Sequence, residues 1–224
     1  MIKAKIVIFS IIEYLIRDIS GGLGQRIRFF YYSRRFKSCG RNVKIDEGVI
    51  IHNPQNIQIG NDVWIMPYSV ITASDGNLNL KERMIIKRTN ESFSGVIGSI
   101  EIGSEVQIGA YNIINGLGGI KIEDRVTTSA RVSIYSFSHY PNDRYNPSKI
   151  TYANSMVREK SISCIESPIQ IEYGVWLGLN VMVFAGTIGK LCFVKANSIV
   201  LDNLNENSYC GGDPAKKIKN RFIL

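Results

Sequence analysis

Only two of the 224 residues are histidines, His52 and His139, so a zinc centre built on three histidines is excluded and no metal is expected. The four cysteines, Cys39, Cys164, Cys192 and Cys210, lie far apart with no CxxC pair. That excludes a zinc knuckle and a disulfide-stapled secreted scaffold, and makes a reducing cytoplasm the simplest location. Long hydrophobic runs are also missing. The most apolar stretch, IVIFSIIEYLI at 6–16, contains Glu13 and falls short of the ~20 residues that span a bilayer; no small-residue cleavage site follows it. The Gly-rich NGLGG at 115–119 lacks the Lys-Ser or Lys-Thr ending of a phosphate-cradling loop and reads as a tight corner.

What is present is a chain long and apolar enough, at 45% hydrophobic residues, for one domain with a small appendage. Apolar residues at 8, 11, 12, 15, 16 and 19 fall on one face at helical spacing, with Glu13, Arg17 and Asp18 elsewhere, which predicts an N-terminal helix. The stretch QRIRFFYYSRRFKSCGRNVK at 25–44 carries seven Arg or Lys and no acid, with aromatics in its middle, and PAKKIKNR near the end adds four more cations. Such a cluster suits a solvated helix face with aromatics packed on the domain, or an anionic membrane surface or small molecule. No nucleic-acid reader motif accompanies it, so nucleic acid is not an expected partner.

From residue 59 onward, aliphatic residues recur every six: 59, 65 and 71; 102, 108 and 114; a new phase from Ile122; and again from Ile171 and Ile188. The recurring unit, an aliphatic followed by Gly or an acid with a small or β-branched residue four places on, is neither a helix nor a two-faced strand pattern. Six residues supply one short strand and one corner, three such faces close a coil, and stacked coils bury an aliphatic column. The predicted fold class is an all-β solenoid.

These repeats resemble those of the hexapeptide-repeat acyltransferases, and VWLGLNVMVFAGTIGKLCFVKANSIVLDNLNENSYCGGDPAKKIKNR is similar to that family's closing signature. The likeness covers roughly residues 40–221, behind an N-terminal helical segment of residues 1–40. It implies a left-handed parallel β-helix over 41–221 with a C-terminal helix, a homotrimer with active sites between subunits, and acetyl-CoA as acyl donor. The lead-in RIRFFYYSRRFKSCGRNVKI with NPQNIQIGNDVWI looks most like the branch that O-acetylates sugars of bacterial surface polysaccharides. N-acylation of a nucleotide-linked amino sugar and a non-catalytic scaffold are the alternatives. The protein would then be cytoplasmic, at the inner face of the membrane where its basic segment rests on anionic lipid.

Two departures stand out. The step from Val183 to Ile188 is five residues instead of six, and the segment 72–98 breaks the repeat and must loop out or form a small hairpin. The period also stops at Ile134 and resumes near Ile169, leaving an excursion, 138–168, of a length that is often functional. His139 opens that excursion. Acyl transfer to a sugar needs a base for the attacking group's proton, and a neutral imidazole is available near pH 7; the resemblance puts its catalytic histidine at the matching point. Asp143 or a backbone carbonyl could orient the ring. Asn112 and Asn115 on the preceding coil are candidates to hold the sugar acceptor, or ordinary corner residues. Carried over from the family, Trp176, Ala185, Gly186 and Thr187 would line the pantetheine arm, while Lys190, Lys195, Lys216 and Arg221 would meet the phosphates. His52 is read as a corner residue.

Overall fold

A computed structural model describes residues 2–76, 83–143, 146, 148–150 and 162–222. The chain opens with two helices, α1 (Ile2–Arg17) and α2 (Gly21–Tyr32), and then runs in short strands. From residue 38 the strands visit three sheets in constant rotation. Ser38–Cys39 joins the first sheet, Lys44–Ile45 the second and Ile50–His52 the third, and Ile57–Ile59 returns to the first. Each strand pairs in parallel with its counterpart one turn of the rotation later, as Ile113–Gly116 does with both Val70–Ala73 and Ser133–Tyr135.

The six-residue period works as a local rule. The aliphatic at position i points inward, the residue at i+3 turns the edge in the left-handed region, and the residue at i+4 is again buried. Thus Ile102 is followed by Glu105 at φ 58° and buried Val106, and Ile122 by Arg125 at φ 57° and buried Val126. The first edge, between the first and second sheets, is a column of Asn42, Asp62, Glu105, Arg125, Gly174, Leu191 and Asn207; the second edge is Gly48, Tyr68, Tyr111, Arg131, Asn180 and Asn197. Gly, Asn and Asp accept this conformation readily, whereas Tyr, Glu, Arg and Leu pay about 1–2 kcal/mol each. Hydrogen bonds between successive turns of the same edge offset that cost, such as Tyr111 N–H to Pro67 O at 2.9 Å and Arg131 N–H to Ala110 O at 2.9 Å. The side chains also stack along the edge: the Tyr68 and Tyr111 rings lie 5.3 Å apart, and Arg125 Nε donates to Glu105 at 2.7 Å.

Inside lies one aliphatic column, including Ile45, Ile65, Ile108, Leu177 and Val194 from the second sheet and Ile51, Ile71, Ile114, Ile134 and Val183 from the third. Each fully buried side chain of this size contributes about 1.5–3 kcal/mol, which is the main term holding short two- and three-residue strands in register.

The expected C-terminal helix is not there. Residues Ser208–Gly212 and Ala215–Asn220 form an antiparallel hairpin that closes the second sheet. Gly211, Gly212 (φ 108°) and Pro214 reverse the chain, and the returning strand satisfies backbone groups that a helix would leave unpaired along the sheet's edge. The break at 72–98 also differs from a self-contained hairpin: its strand, Arg83–Lys87, finds its partner some eighty residues on, in Ile162–Glu166.

Candidate active site

The third edge, between the third and first sheets, is where the regular rotation is interrupted. One excursion leaves after Val70–Ala73 and the other after Ser133–Tyr135, with a single uninterrupted turn, Ile113–Ile122, between them. Their strands meet in a small sheet in which Ile162–Glu166 pairs antiparallel with Phe137–Tyr140 on one side and parallel with Arg83–Lys87 on the other. Hydrogen bonds fasten this sheet to the edge. Ser136 N–H donates to Asn115 O at 3.0 Å and Ser167 N–H to Ser136 O at 2.8 Å. Gly118 N–H reaches Ser136 Oγ at 3.0 Å, while Arg88 N–H, reaching Glu166 O at 2.8 Å, extends the small sheet's own ladder.

His139 lies on the strand Phe137–Tyr140, opposite Cys164. Cys164 is fully buried while His139 is exposed, so the strand presents the imidazole to solvent. Asp143 stands four residues on in a turn, where its Oδ1 accepts the Asn146 N–H at 3.1 Å. Asn115 is half-buried between the two excursions, its Oδ1 accepting the Leu117 N–H at 3.3 Å. The rest of the excursion, 151–161, lies outside the described residues.

Asn112 does not face an acceptor. It is 1% exposed, its Oδ1 accepts the Val132 N–H at 2.7 Å and its Nδ2 donates to the Thr128 hydroxyl. It occupies the buried i+4 position of its repeat, stacked between Ser69 of the turn before and Val132 of the turn after, so its role is to pair groups inside the column.

A cleft of about 590 Å³ opens farther along the third edge, lined among others by Lys87, Arg88, Ser167, Ala185, Gly186 and Asn203. The five-residue step forms its floor. Gly186 takes φ 84°, and a Cβ there would lie 2.7 Å from the Asp202 carbonyl carbon and 2.9 Å from Asn203 Oδ1, so only glycine fits. Thr187 is buried and engaged in structure: its N–H donates to Asn203 Oδ1 at 2.7 Å, its hydroxyl to Asn90 Oδ1 at 3.0 Å, and its carbonyl accepts the Leu204 N–H. It belongs to the wall rather than the lining.

The remaining candidates are not gathered at this cleft within the chain. Trp176, 45% exposed, stands on the outer face of the second sheet with its indole N–H on Ser129 Oγ at 3.2 Å and its ring edge-on to Phe193. Lys190 is on the first edge, Lys195 on the second, and Lys216 on the hairpin strand opposite Gly211. Arg221 is drawn into the first edge, where its Nη1 donates to the carbonyls of Gly174, Leu191 and Cys192 at 3.1–3.2 Å. Lys87 and Arg88 supply positive charge at the cleft instead. Lys87 is largely exposed, with Nζ 3.6 Å from Glu166. Sequence reasoning passed over both; the signal was there in KERMIIKR, three apolar residues bracketed by cations. Among the described residues no group of three metal-binding side chains converges.

No profile of a known protein family matches the chain. Individual proteins do. It is 32% identical over 127 residues to a probable acetyltransferase of Mycobacterium tuberculosis, a match that spans 56% of this chain and 39% of that protein. It is 28% identical over 187 residues to the dTDP-4-amino-4,6-dideoxy-D-glucose acyltransferase of Escherichia coli, covering 83% of each. A third relative, the putative lipopolysaccharide biosynthesis O-acetyl transferase WbbJ of Escherichia coli, is 28% identical over 158 residues, 69% of this chain and 78% of that one. Among solved structures, the Bacillus cereus N-acyltransferase AntD with dTDP and 3-hydroxybutyryl-CoA superposes with a TM-score of 0.64 at 22% identity, over 86% of this chain and 87% of that one. The hexapeptide-repeat containing acetyltransferase of Vibrio cholerae with acetyl coenzyme A gives 0.55 at 22%, over 94% and 84%. At these identities the structural likeness concerns the fold. The chain is thus related to acyltransferases, and it shares its fold with a hexapeptide-repeat containing acetyltransferase, in agreement with what its repeats imply.

Proposed function

We propose that the protein is an acyl-CoA-dependent acyltransferase that acetylates an amino sugar carried on a nucleotide, a step in building a cell-surface glycan. The observation that carries this reading is the alignment over 83% of both chains with the Escherichia coli dTDP-amino-sugar acyltransferase. What supports an acyl-transfer site is that the exposed His139 and a cleft lined by Lys87, Arg88, Ala185 and Gly186 share one edge. The rotating sheets are read as a left-handed β-helix that works as a homotrimer in the cytoplasm, with sites completed between subunits. Contacts from a neighbouring subunit would be the route by which Trp176, Lys190, Lys195 and Lys216 join the site.

In this reading His139 accepts the proton of the attacking amine as nitrogen bonds to the thioester carbonyl carbon, and returns it to the sulfur as the C–S bond breaks. Asp143 and backbone carbonyls are the groups available to hold the ring's other nitrogen. Lys87 and Arg88 offer the point charge and the planar fork that phosphates require, and Asn115 borders the acceptor. No helix among the described residues is long and apolar enough to cross a membrane.

The test is thiol release from acetyl-CoA with dTDP-4-amino-4,6-dideoxyglucose as acceptor, for the wild type and His139→Ala. Release that depends on the amine and falls at least a hundredfold in the variant supports the reading. A second reading, O-acetylation of a glycan hydroxyl, is favoured by the WbbJ match; it takes first place if hydroxyl acceptors turn over and the amine does not. Absence of acyl-CoA binding by calorimetry would leave a non-catalytic solenoid.

A further inference from the structure

The net charge of +8 is not spread over the molecule. Residues 1–44 hold ten Lys and Arg against Glu13 and Asp18, while the other 180 residues hold seventeen of each sign. The whole excess therefore belongs to the two helices and the first turn of the solenoid that carries them.

Those helices expose apolar side chains in an ordered way. The face of α1 that meets α2 is made by Phe9 and Glu13: the Phe9 and Tyr31 rings are 6.5 Å apart, Tyr31 donates to Glu13 at 3.1 Å, and Arg35 pairs with Glu13 and covers the Phe9 ring. Ile8, Ile11 and Leu15, at i, i+3 and i+7, form a separate stripe that is 55%, 54% and 63% exposed. On α2 the buried residues are Gly24, Arg28 and Tyr32, and the opposite face shows Leu23 and Phe30, both more than 60% exposed, with Arg26 between them and Arg34 stacked on Phe30 at 4.5 Å.

Exposure here does not reflect a loosely attached helix. Arg28 is fully buried and ties α1 to the solenoid. Its Nε donates to Ile45 O at 2.8 Å, and its Nη1 donates to the carbonyls of Ile16, Arg17 and Ile19 at the end of α1, at 2.9, 3.1 and 2.8 Å. A cation at a helix C-terminus is also favourably placed against the dipole. The helix is fixed with its apolar stripe outward.

We propose that α1 and α2 form an interfacial anchor that lies on an anionic bilayer surface, the stripe of Ile8, Ile11 and Leu15 seated at the headgroup boundary and cations of α2 such as Arg26 and Arg34 on lipid phosphates. Exposed apolar side chains on helices that also carry an excess of cations are the pattern of helices that rest in the interface plane. A second copy of the chain is the weaker occupant, because it would bring two surfaces together that each carry the molecule's entire positive excess; an anionic leaflet attracts them. This anchor is independent of the acyl-transfer reading, and either can fail alone.

The experiment is co-sedimentation of the full chain with vesicles of phosphatidylcholine containing about 30% phosphatidylglycerol, and with phosphatidylcholine alone, at low and high salt. Binding to the anionic vesicles that high salt weakens is expected. The double variant Ile11→Gln/Leu15→Gln, altered only at exposed positions, should lose at least about tenfold in partitioning, and Arg26→Gln and Arg34→Gln about fivefold each. All these variants should retain wild-type turnover of a soluble acceptor. No sedimentation with anionic vesicles, or partitioning unchanged in Ile11→Gln/Leu15→Gln, overturns the proposal. So does a self-association in the absence of lipid that this double variant abolishes, measured by light scattering.

Discussion

Replacing Asn112 by alanine should damage stability and spare substrate binding. The side chain is one of the few polar groups within the column, and its Oδ1 accepts the hydrogen bond of the buried Val132 N–H at 2.7 Å. Alanine leaves that N–H without a partner, which costs about 1–3 kcal/mol. Thr128 loses the Nδ2 donor but keeps the Gly109 N–H at 3.0 Å and the Gln107 carbonyl at 3.3 Å, so it adds little. The vacated volume adds about 1 kcal/mol more. A total of about 2–4 kcal/mol in a chain of this length corresponds to a fall in Tm of roughly 5–15 °C. Thermal unfolding at fixed protein concentration, since self-association would shift Tm, measures it beside steady-state kinetics. Asn112→Val, which places the residue type of the next turn's Val132 there, should recover part of the packing loss. A Tm within about 1 °C of wild type together with a raised acceptor KM would refute the argument and return Asn112 to the acceptor site.

Four further outcomes are expected. His139→Ala should lower kcat/KM by about 10²–10⁴ with unchanged Tm, because the imidazole is exposed. Lys87→Ala/Arg88→Ala should raise the KM for acyl-CoA about tenfold with little change in kcat, as loss of phosphate charges does, measured by initial rates. Gly24→Ala would place a Cβ 1.7 Å from Ile19 O, so α1 and α2 must part; a loss of about 1–3 kcal/mol and faster hydrogen exchange in α1 are expected. Burial, reinforced by the Glu13 carboxylate, raises the Tyr31 and Tyr32 phenols well above their ordinary range. Their contribution is complete below the unfolded value of about 10 and is lost as pH rises beyond it. Denaturant midpoints at about pH 9 and pH 11 should therefore fall more in the wild type than in Tyr32→Phe.

Much of the architecture could be read directly from the residues. A side chain every six places returns to the same point of the rotation, so the period alone separates the buried column of Ile65, Ile108 and Ile134 from the outward residues beside them. The same rule, followed one step further, also marks Asn112 as inward, since it stands four places after Ile108 where most turns carry valine. The C-terminal strand was harder to foresee. PAKKIKNR is compatible with a helix by composition, and only the unpaired edge of the second sheet decides that it returns as a strand.

The sequence by itself determined the repeat, the phase of its core, the points where the repeat is interrupted and the confinement of the net charge to the first 44 residues. These follow from local periodicity and composition. The tertiary structure alone decided that both interruptions leave by the same edge, that Arg83–Lys87 pairs with Ile162–Glu166, and that Lys87 and Arg88 come to stand beside Ala185 and Gly186. It also decided that Ile8, Ile11 and Leu15 face outward although their spacing suits a buried stripe. Such pairings join residues separated by eighty to a hundred positions, and backbone hydrogen bonds between strands carry no side-chain signature that a linear reading could match.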